Sequence, residues 1–276
     1  MFISPMLLHK LDYPFNDEEY ITELKLDGIR LILSKFENKV RLYTRHKNEV
    51  TSKFPELLDI DIPNGTVLDG ELIVPGEKGK PDFEAMMERF QSNKSIHFIQ
   101  YGVFDVIYYK GNKVTNLSLI ERKALLESFL PQSDRIVSVK WLYGKGEEYF
   151  NLVEQQGLEG IVLKRANSQY QTNKRSYDWL KVINYQYTDA YITGFRKDEF
   201  GLLLGVEDKG KVKAAGLMEF MPKKEKFKFY QQYQDLIVDE NEKFIFLKPQ
   251  MKCRVKFRNY TKEGKIRIPS FVKYIS

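Results

Sequence analysis

Lys25 lies between two leucines in Glu23-Leu24-Lys25-Leu26-Asp27-Gly28-Ile29-Arg30, just before the apolar Leu31-Ile32-Leu33. An apolar flank disfavours an ammonium ion and favours the neutral amine, and only the neutral amine is a nucleophile. Gly28 permits a tight turn or a close backbone approach. Arg30 offers a planar fork for phosphate or ribose oxygens. The plain alternative is a structural lysine paired with Asp27 at a turn, and the string alone favours it. Acids occur in comparable settings. In Val67-Leu68-Asp69-Gly70-Glu71-Leu72, strand alternation puts Asp69 and Glu71 on one face and Leu68 and Leu72 on the other. Such a pair suits a divalent cation or a ribose hydroxyl, or plain solvation. Glu159 heads Gly160-Ile161-Val162-Leu163-Lys164 and by alternation shares a face with Ile161 and Leu163. Lys181, inside Trp179-Leu180-Lys181-Val182-Ile183, needs a phosphate partner or a path to water for its head group. Phe104, in Gly102-Val103-Phe104-Asp105, is a core ring or a platform for a purine base.

Further cations sit outside this set. Arg45 and the pair Lys174-Arg175 lie in polar loops, as phosphate ligands or as exposed charges. Lys252-Cys253-Arg254-Val255-Lys256-Phe257-Arg258 alternates strictly, so Lys252, Arg254, Lys256 and Arg258 share one strand face. Four aligned cations suit a nucleic-acid backbone, or guard an edge strand against pairing.

The elements that must position these residues are mostly strands. Asp17 reads as a helix cap before Glu18-Glu19-Tyr20. Residues 25–42 read as strand, turn, strand, with a polar break at Glu37-Asn38-Lys39. Residues 44–50 form a turn, Val67–Val74 a strand, and Asp82 caps a helix through Phe90. His97–Tyr109 is a long aromatic strand. Ser118 and Glu121 form a capping box for a helix through Leu130. Glu147–Gln156 is a helix stopped by Gly157, and Ile161–Lys164 and Trp179–Ile183 are strands. Beyond residue 188 the chain reads as a small β-barrel with one helix, Lys223–Leu236.

The 276 residues suit one large domain or two smaller ones. One cysteine, Cys253, leaves no disulfide framework and no four-cysteine zinc site, and three histidines make a histidine metal centre improbable. No apolar run approaches a membrane span, and the first ten residues lack a charged leader, so a cytoplasmic location and no membrane partner are expected. Net charge is +6 and unevenly spread. Residues 189–276 hold 19 Lys+Arg against 12 Asp+Glu, a balance of +7, while residues 1–188 hold 25 against 26. A basic module beside a near-neutral one suggests a polyanion clamp attached to a reaction centre.

In order, Lys25-Leu26-Asp27-Gly28-Ile29-Arg30, Asp69-Gly70-Glu71-Leu72, Phe104-Asp105, Glu159-Gly160-Ile161 and Trp179-Leu180-Lys181 resemble the motifs of the covalent nucleotidyltransferases: DNA ligases, RNA ligases and mRNA capping enzymes. Thr44-Arg45 followed by Phe54-Pro55-Glu56-Leu57, and Lys174–Lys181, are similar to ATP-dependent DNA ligases. The tail, residues 257–271, resembles the OB domain of the ligase module in bacterial end-joining enzymes. NAD-dependent ligases share the lysine string, but also carry an N-terminal module and a cysteine zinc site that this chain lacks. The resemblance implies an α+β fold: a nucleotidyltransferase domain of antiparallel sheets flanked by helices over residues 1–187, then an OB-fold barrel over 188–276. It implies a minimal bacterial or phage ligase that seals 5′-phosphate/3′-hydroxyl nicks through lysyl-AMP and DNA-adenylate. The cofactors implied are ATP and Mg²⁺ (or Mn²⁺). Nicked duplex DNA is the implied partner, with a DNA-end-binding or clamp protein as a further one, and the chain is expected to act as a monomer.

The resemblance also assigns roles. Lys25 attacks the α-phosphate. Glu23 lines the adenine pocket and Phe104 stacks the base. Arg30 and Glu71 hold the ribose side, and Glu71 and Glu159 serve the cation. Arg175 and Lys181 bind nucleotide phosphates. Arg45 orients the nick 5′-phosphate and adjoins the nucleotide. Lys174, Lys252, Arg254, Lys256 and Arg258 contact DNA. Two departures stand out. Ile183 replaces a usual second lysine, with Asn184 or Lys164 as substitutes, and an Arg-x-Asp-Lys-like string is missing at the C-terminus, where Arg267 and Lys273 are the nearest cations. The alternatives are an RNA ligase or capping-type enzyme, and a non-catalytic nucleic-acid-binding module on a ligase scaffold.

Overall fold

The computed structural model describes residues 1–92, 94–131 and 133–275, and the chain divides into two units, Met1–Asn184 and Tyr185–Ser276. The division falls just before the expected residue 187, because Gln186 and Tyr187 already pair in the first strand of the second unit.

The first unit begins with β1 (Leu7–Leu11), β2 (Tyr20–Leu24), β3 (Ile29–Phe36), β4 (Lys39–Thr44) and β5 (Thr66–Ile73). It continues with α1 (Phe83–Gln91), β6 (Gln100–Tyr109), β7 (Asn112–Lys113), α2 (Leu119–Phe129), β8 (Ile136–Ser138) and β9 (Trp141–Tyr143). α3 (Gly146–Gln155), β10 (Gly160–Arg165) and β11 (Arg175–Ile183) complete it. Local chemistry accounts for several boundaries. Glu37 and Asn38 both take positive φ, the geometry of a tight hairpin turn, and join β3 to β4. Asp82 accepts from the Ala85 N–H at 2.9 Å and starts α1. Ser118 and Glu121 form the capping box of α2.

Two sheets result. One has the order β1-β11-β10-β2-β9, with β1 parallel to β11. The other has the order β4-β3-β5-β6-β7, with β8 parallel to β6. Ile21 and Trp179 of the first sheet pack with Ile32, Val67 and Ile107 of the second. The outer face of the first sheet, through Ile161, Leu163 and Val182, packs with Phe150 and Val153 of α3. The outer face of the second, through Leu31, Leu33 and Leu72, packs with Met86 of α1 and Leu126 of α2. Each sheet is therefore apolar on both faces, except where polar residues enter the space between them.

The second unit contains β12 (Gln186–Arg196), β13 (Leu202–Asp208), β14 (Lys211–Met218), α4 (Lys223–Gln232), β15 (Ile237–Glu240), β16 (Phe244–Leu247), β17 (Lys252–Phe257) and β18 (Ser270–Ile275). Its strands form one antiparallel sheet, in which the long β12 bonds to β13, β16 and β17. Phe229 of α4 enters a core with Ile192, Leu204, Val255 and Phe257.

Five expectations are corrected. Asp17 caps no helix: its Oδ1 accepts from Glu19 N–H at 2.8 Å in a turn that leads into β2. The strand after Lys25 begins only at Ile29, and the aromatic strand begins at Gln100. The helix from Lys223 ends at Gln232, with a 3₁₀ turn over Gln234–Leu236. β17 is no edge strand, because it lies between β12 and β18, so edge protection does not explain its cations. Among the described residues no helix is long and apolar enough to cross a membrane.

Candidate active site

Lys25 sits in the four-residue connection between β2 and β3. Its N–H donates to the Gly160 carbonyl at 2.9 Å, which ties the connection to the start of β10. Gly28 is required here, since a Cβ would overlap the Leu72 carbonyl oxygen; its close approach is to β5. Lys25 Nζ lies 2.7 Å from Glu159 Oε2, with the lysine side chain 20% and the glutamate 8% exposed. The lysine side chain is thus partly buried, and it forms an ion pair with Glu159. Glu159 precedes β10, and Gly160, with φ +151°, separates it from the strand alternation. This is why it meets Lys25 instead of joining Ile161 and Leu163 in the core.

Across the inter-sheet space, Arg30 pairs with Glu71 in strand register, and Ile32 with Asp69. The Arg30 guanidinium donates twice to Asp69, Nε to Oδ1 at 2.9 Å and Nη2 to Oδ2 at 2.6 Å. Tyr170 Oη also donates to Asp69, at 2.6 Å. Asp69 is fully buried and anchors Arg30, while Glu71 is partly exposed. Burial pushes the Glu71 carboxyl up to about 8; Glu159 and Asp69 add to this, and Lys25 and Arg30 oppose it.

A second cluster surrounds Glu23. Register puts Ile21 opposite Lys164, Glu23 opposite Val162, Lys181 opposite Val162 and Trp179 opposite Lys164, so these side chains share the face turned to the other sheet. Glu23 is buried and forms ion pairs with Lys164, at 2.7 Å, and with Lys123 of α2. Lys164 Nζ lies 4.4 Å from the Phe104 ring centroid and 4.2 Å from that of Trp179. Burial pushes Lys164 down to about 8, against the pull of Glu23. The Arg30 guanidinium lies 5.3 Å from the same Phe104 ring. Phe104 thus connects the two clusters. The structure brings together Glu23, Lys25, Arg30, Glu71, Phe104 and Glu159, with Lys181 on the shared sheet face.

A family model described as ATP dependent DNA ligase domain matches residues 5–182. The chain belongs to the ATP-dependent DNA ligase family. This ligase chain is 55% identical over 271 residues to the SPbeta prophage-derived DNA ligase-like protein LigB of Bacillus subtilis (strain 168), covering 98% of each. It is 27% identical over 292 residues to the multifunctional non-homologous end joining DNA repair protein LigD of Mycobacterium tuberculosis (strain ATCC 25618 / H37Rv); the match covers 98% of the chain and 38% of LigD. Two solved structures share the fold. Mycobacterial DNA ligase D complexed with ATP and MES has a TM-score of 0.61 at 24% identity, over 99% of this chain and 95% of that one. A Lig E DNA ligase, described as DNA binding with a minimal scaffold, has a TM-score of 0.68 at 20% identity, over 99% and 100%.

Arg45 and the pair Lys174-Arg175 of this ligase chain lie outside the buried clusters. Arg45 is exposed, with Nε 3.0 Å from His46 Nε2. Lys174 and Arg175 are exposed, and Arg175 donates to the Leu8 carbonyl. The substitutes for the lysine missing at Ile183 are engaged elsewhere. Lys164 is tied to Glu23, and Asn184 donates to the Leu158 carbonyl at 3.0 Å. In the second unit, Lys252, Arg254 and Lys256 line the outer face of β17, as alternation requires, and Cys253, Val255 and Phe257 are buried. Arg267 donates to Asn259 Oδ1 at 3.2 Å, and Lys273 lies opposite Arg254 on β18.

Sequence reasoning missed Lys123, Tyr170 and the buried pair of Arg122 with Asp105. A signal existed for α2. Leu119, Arg122, Lys123 and Leu126 follow helical spacing, so two cations lie on the apolar stripe and need buried anions.

Proposed function

We propose that this ligase-family chain seals nicks in duplex DNA by moving AMP from ATP to Lys25 and then to the DNA 5′-phosphate. The single observation that carries the reading is the position of Lys25 Nζ, 2.7 Å from Glu159 and within electrostatic reach of Glu71, with Arg30 fixed on Asp69 beside them. Once Nζ has lost a proton, its lone pair attacks the α-phosphorus. The N–P bond forms, the bond from the α-phosphorus to the pyrophosphate oxygen breaks, and pyrophosphate leaves with the electron pair. A 5′-phosphate oxygen of DNA then takes AMP from Lys25. The 3′-hydroxyl oxygen attacks the activated 5′-phosphate, a phosphodiester bond forms, and AMP departs.

This chain's residues divide that work. Phe104 stacks the adenine, Glu23 lines the base pocket, and Arg30 and Glu71 hold the ribose side. Lys181 and Arg175 neutralise phosphate oxygens, and Arg45 orients the 5′-phosphate of the nick. Glu71 and Glu159 fit a hard divalent cation: both are carboxylates near Lys25, and the proton that burial and Glu159 keep on Glu71 is the charge a cation would replace. Mg²⁺ bound there would relieve charge on the transferring phosphate. Among the described residues no three His, Cys, Asp or Glu cluster as metal ligands.

We read the second unit as an OB-fold that holds DNA. Support comes from the long β12, which bonds to three other strands, from the single helix entering its core, and from the cations on the outer face of β17. Incubation with α-labelled ATP and Mg²⁺, then a chase with nicked duplex, tests the proposal. Label on the wild-type protein, none on Lys25→Ala, and transfer of label to DNA before sealing are expected. Label from GTP in preference to ATP, or label persisting in Lys25→Ala, would overturn it.

A further inference from the structure

The outer face of β12, β17 and β18 is not uniformly cationic. Asp189 of β12 stands opposite Arg254 of β17, which stands opposite Lys273 of β18. Arg254 Nε donates to Asp189 Oδ1 at 2.8 Å. Both side chains reach solvent, Arg254 at 46% and Asp189 at 34%. The Arg254 hydrogen bond, with Lys252 and Lys273 nearby, holds the Asp189 carboxyl below the usual carboxylate range. One acid therefore sits within a patch of three cations. The neighbouring cations lie on aromatic rings: Lys252 Nζ is 5.1 Å from the Tyr191 centroid and Lys256 Nζ 4.9 Å from that of Tyr185. The carboxylate of Asp189, by contrast, competes directly with an incoming anion for Arg254.

An exposed pair of this kind contributes little to stability, so fold maintenance is a poor account of Asp189. Its effect on a polyanion is larger. A phosphate that reaches Arg254 must take over a fork already hydrogen-bonded to a carboxylate, and that carboxylate then faces the phosphate. Resting on the reading that this face holds the DNA backbone, we propose that Asp189 is an internal counter-anion. It occupies Arg254 in the free protein, yields it to a DNA phosphate on binding, and keeps affinity below what the cations alone would give. The contact is to phosphate, so the limit applies to nicked and sealed duplex alike and is independent of sequence. A ligase that holds its product less tightly is freed for the next nick.

Anisotropy titrations of the full chain with labelled nicked and sealed duplexes, over a range of salt, test this. Asp189→Asn and the strand-compatible Asp189→Thr should each bind both duplexes roughly three- to tenfold tighter. The slope of log affinity against log salt should steepen by roughly one. In an Arg254→Gln background the same substitutions should gain much less. If both Asp189 variants bind like wild type, or more weakly, while Lys256→Gln weakens binding, the counter-anion role is overturned and the DNA face stands. If Lys252→Gln, Arg254→Gln and Lys256→Gln all bind as wild type, the DNA reading of this face falls, and the counter-anion role falls with it.

Discussion

Folding shifts two residues at the candidate site toward their neutral forms. Burial pushes Glu71 from 4.5 up to about 8, so between those values the folded protein keeps a proton the unfolded chain has released. Stability must then fall as pH rises through that window. Burial pushes Lys164 from 10.5 down to about 8, so above pH 8 the folded protein binds fewer protons than the unfolded chain and stability recovers. These two groups together should place a stability minimum of the ligand-free protein near pH 8. Glu71→Gln should flatten the acid limb and raise the melting temperature at pH 8 by ~2–4 °C, about 1 kcal/mol. A variant melting curve that tracks wild type from pH 5 to 8 would remove Glu71 as the cause. Arg122 presents a different case. It is fully buried, bonds both oxygens of Asp105 at 2.7 and 3.0 Å, and donates to the carbonyls of Leu117 and Ser168. Arg122→Met strands the Asp105 charge and should cost ~3–5 kcal/mol in urea unfolding, and the added change Asp105→Leu should recover part of it.

At the scale of elements, the start of β10 controls the site. Gly160 keeps φ at +151°, a Cβ there would overlap the Val182 carbonyl oxygen, and its own carbonyl holds the Lys25 N–H. Gly160→Ala should push β10 from β11, move Glu159 away from Lys25, and cost about 2 kcal/mol or more. Thermal melts and the yield of labelled Lys25 read the two effects separately, and full labelling in a destabilised variant would sever the geometric link. The elements differ in how plainly their residues announce them. The β3–β4 hairpin and helices α1 to α3 follow from caps, turn residues and periodicity, all local signals. β1 and β2 carry no comparable signal. Leu7–Leu11 gains its backbone partners from Arg175–Val182 and Tyr20–Leu24 from Ile161–Arg165, far along the chain. Asp17, a good helix cap by composition, is drawn into a turn because Tyr20 must enter that sheet.

For the whole molecule, the charge distribution separates two kinds of binding. The excess of cations lies in residues 189–276, while the cluster around Lys25 and Glu23, which we propose binds the nucleotide, is built from residues 23–181. DNA affinity and sealing should therefore fall steeply between ~50 and ~200 mM salt, by 10³-fold or more if six phosphates are met. Labelling of Lys25 by ATP without DNA should change far less over the same range. Equal salt sensitivity of both steps would count against the division of roles. The ordered motifs, and with them family membership, are legible from the chain alone, because local spacing and residue type suffice. So is the cationic face of β17, because strand alternation is local. Only the tertiary structure decided the partners. It gave Lys25 to Glu159, Arg30 to Asp69 and Glu23 to Lys123 and Lys164. Sequence periodicity tells which face a side chain takes, but an ion pair forms between faces brought together by the shared apolar interior. Chains of many sequences could supply those faces, and the register of two packed sheets selects which charges meet.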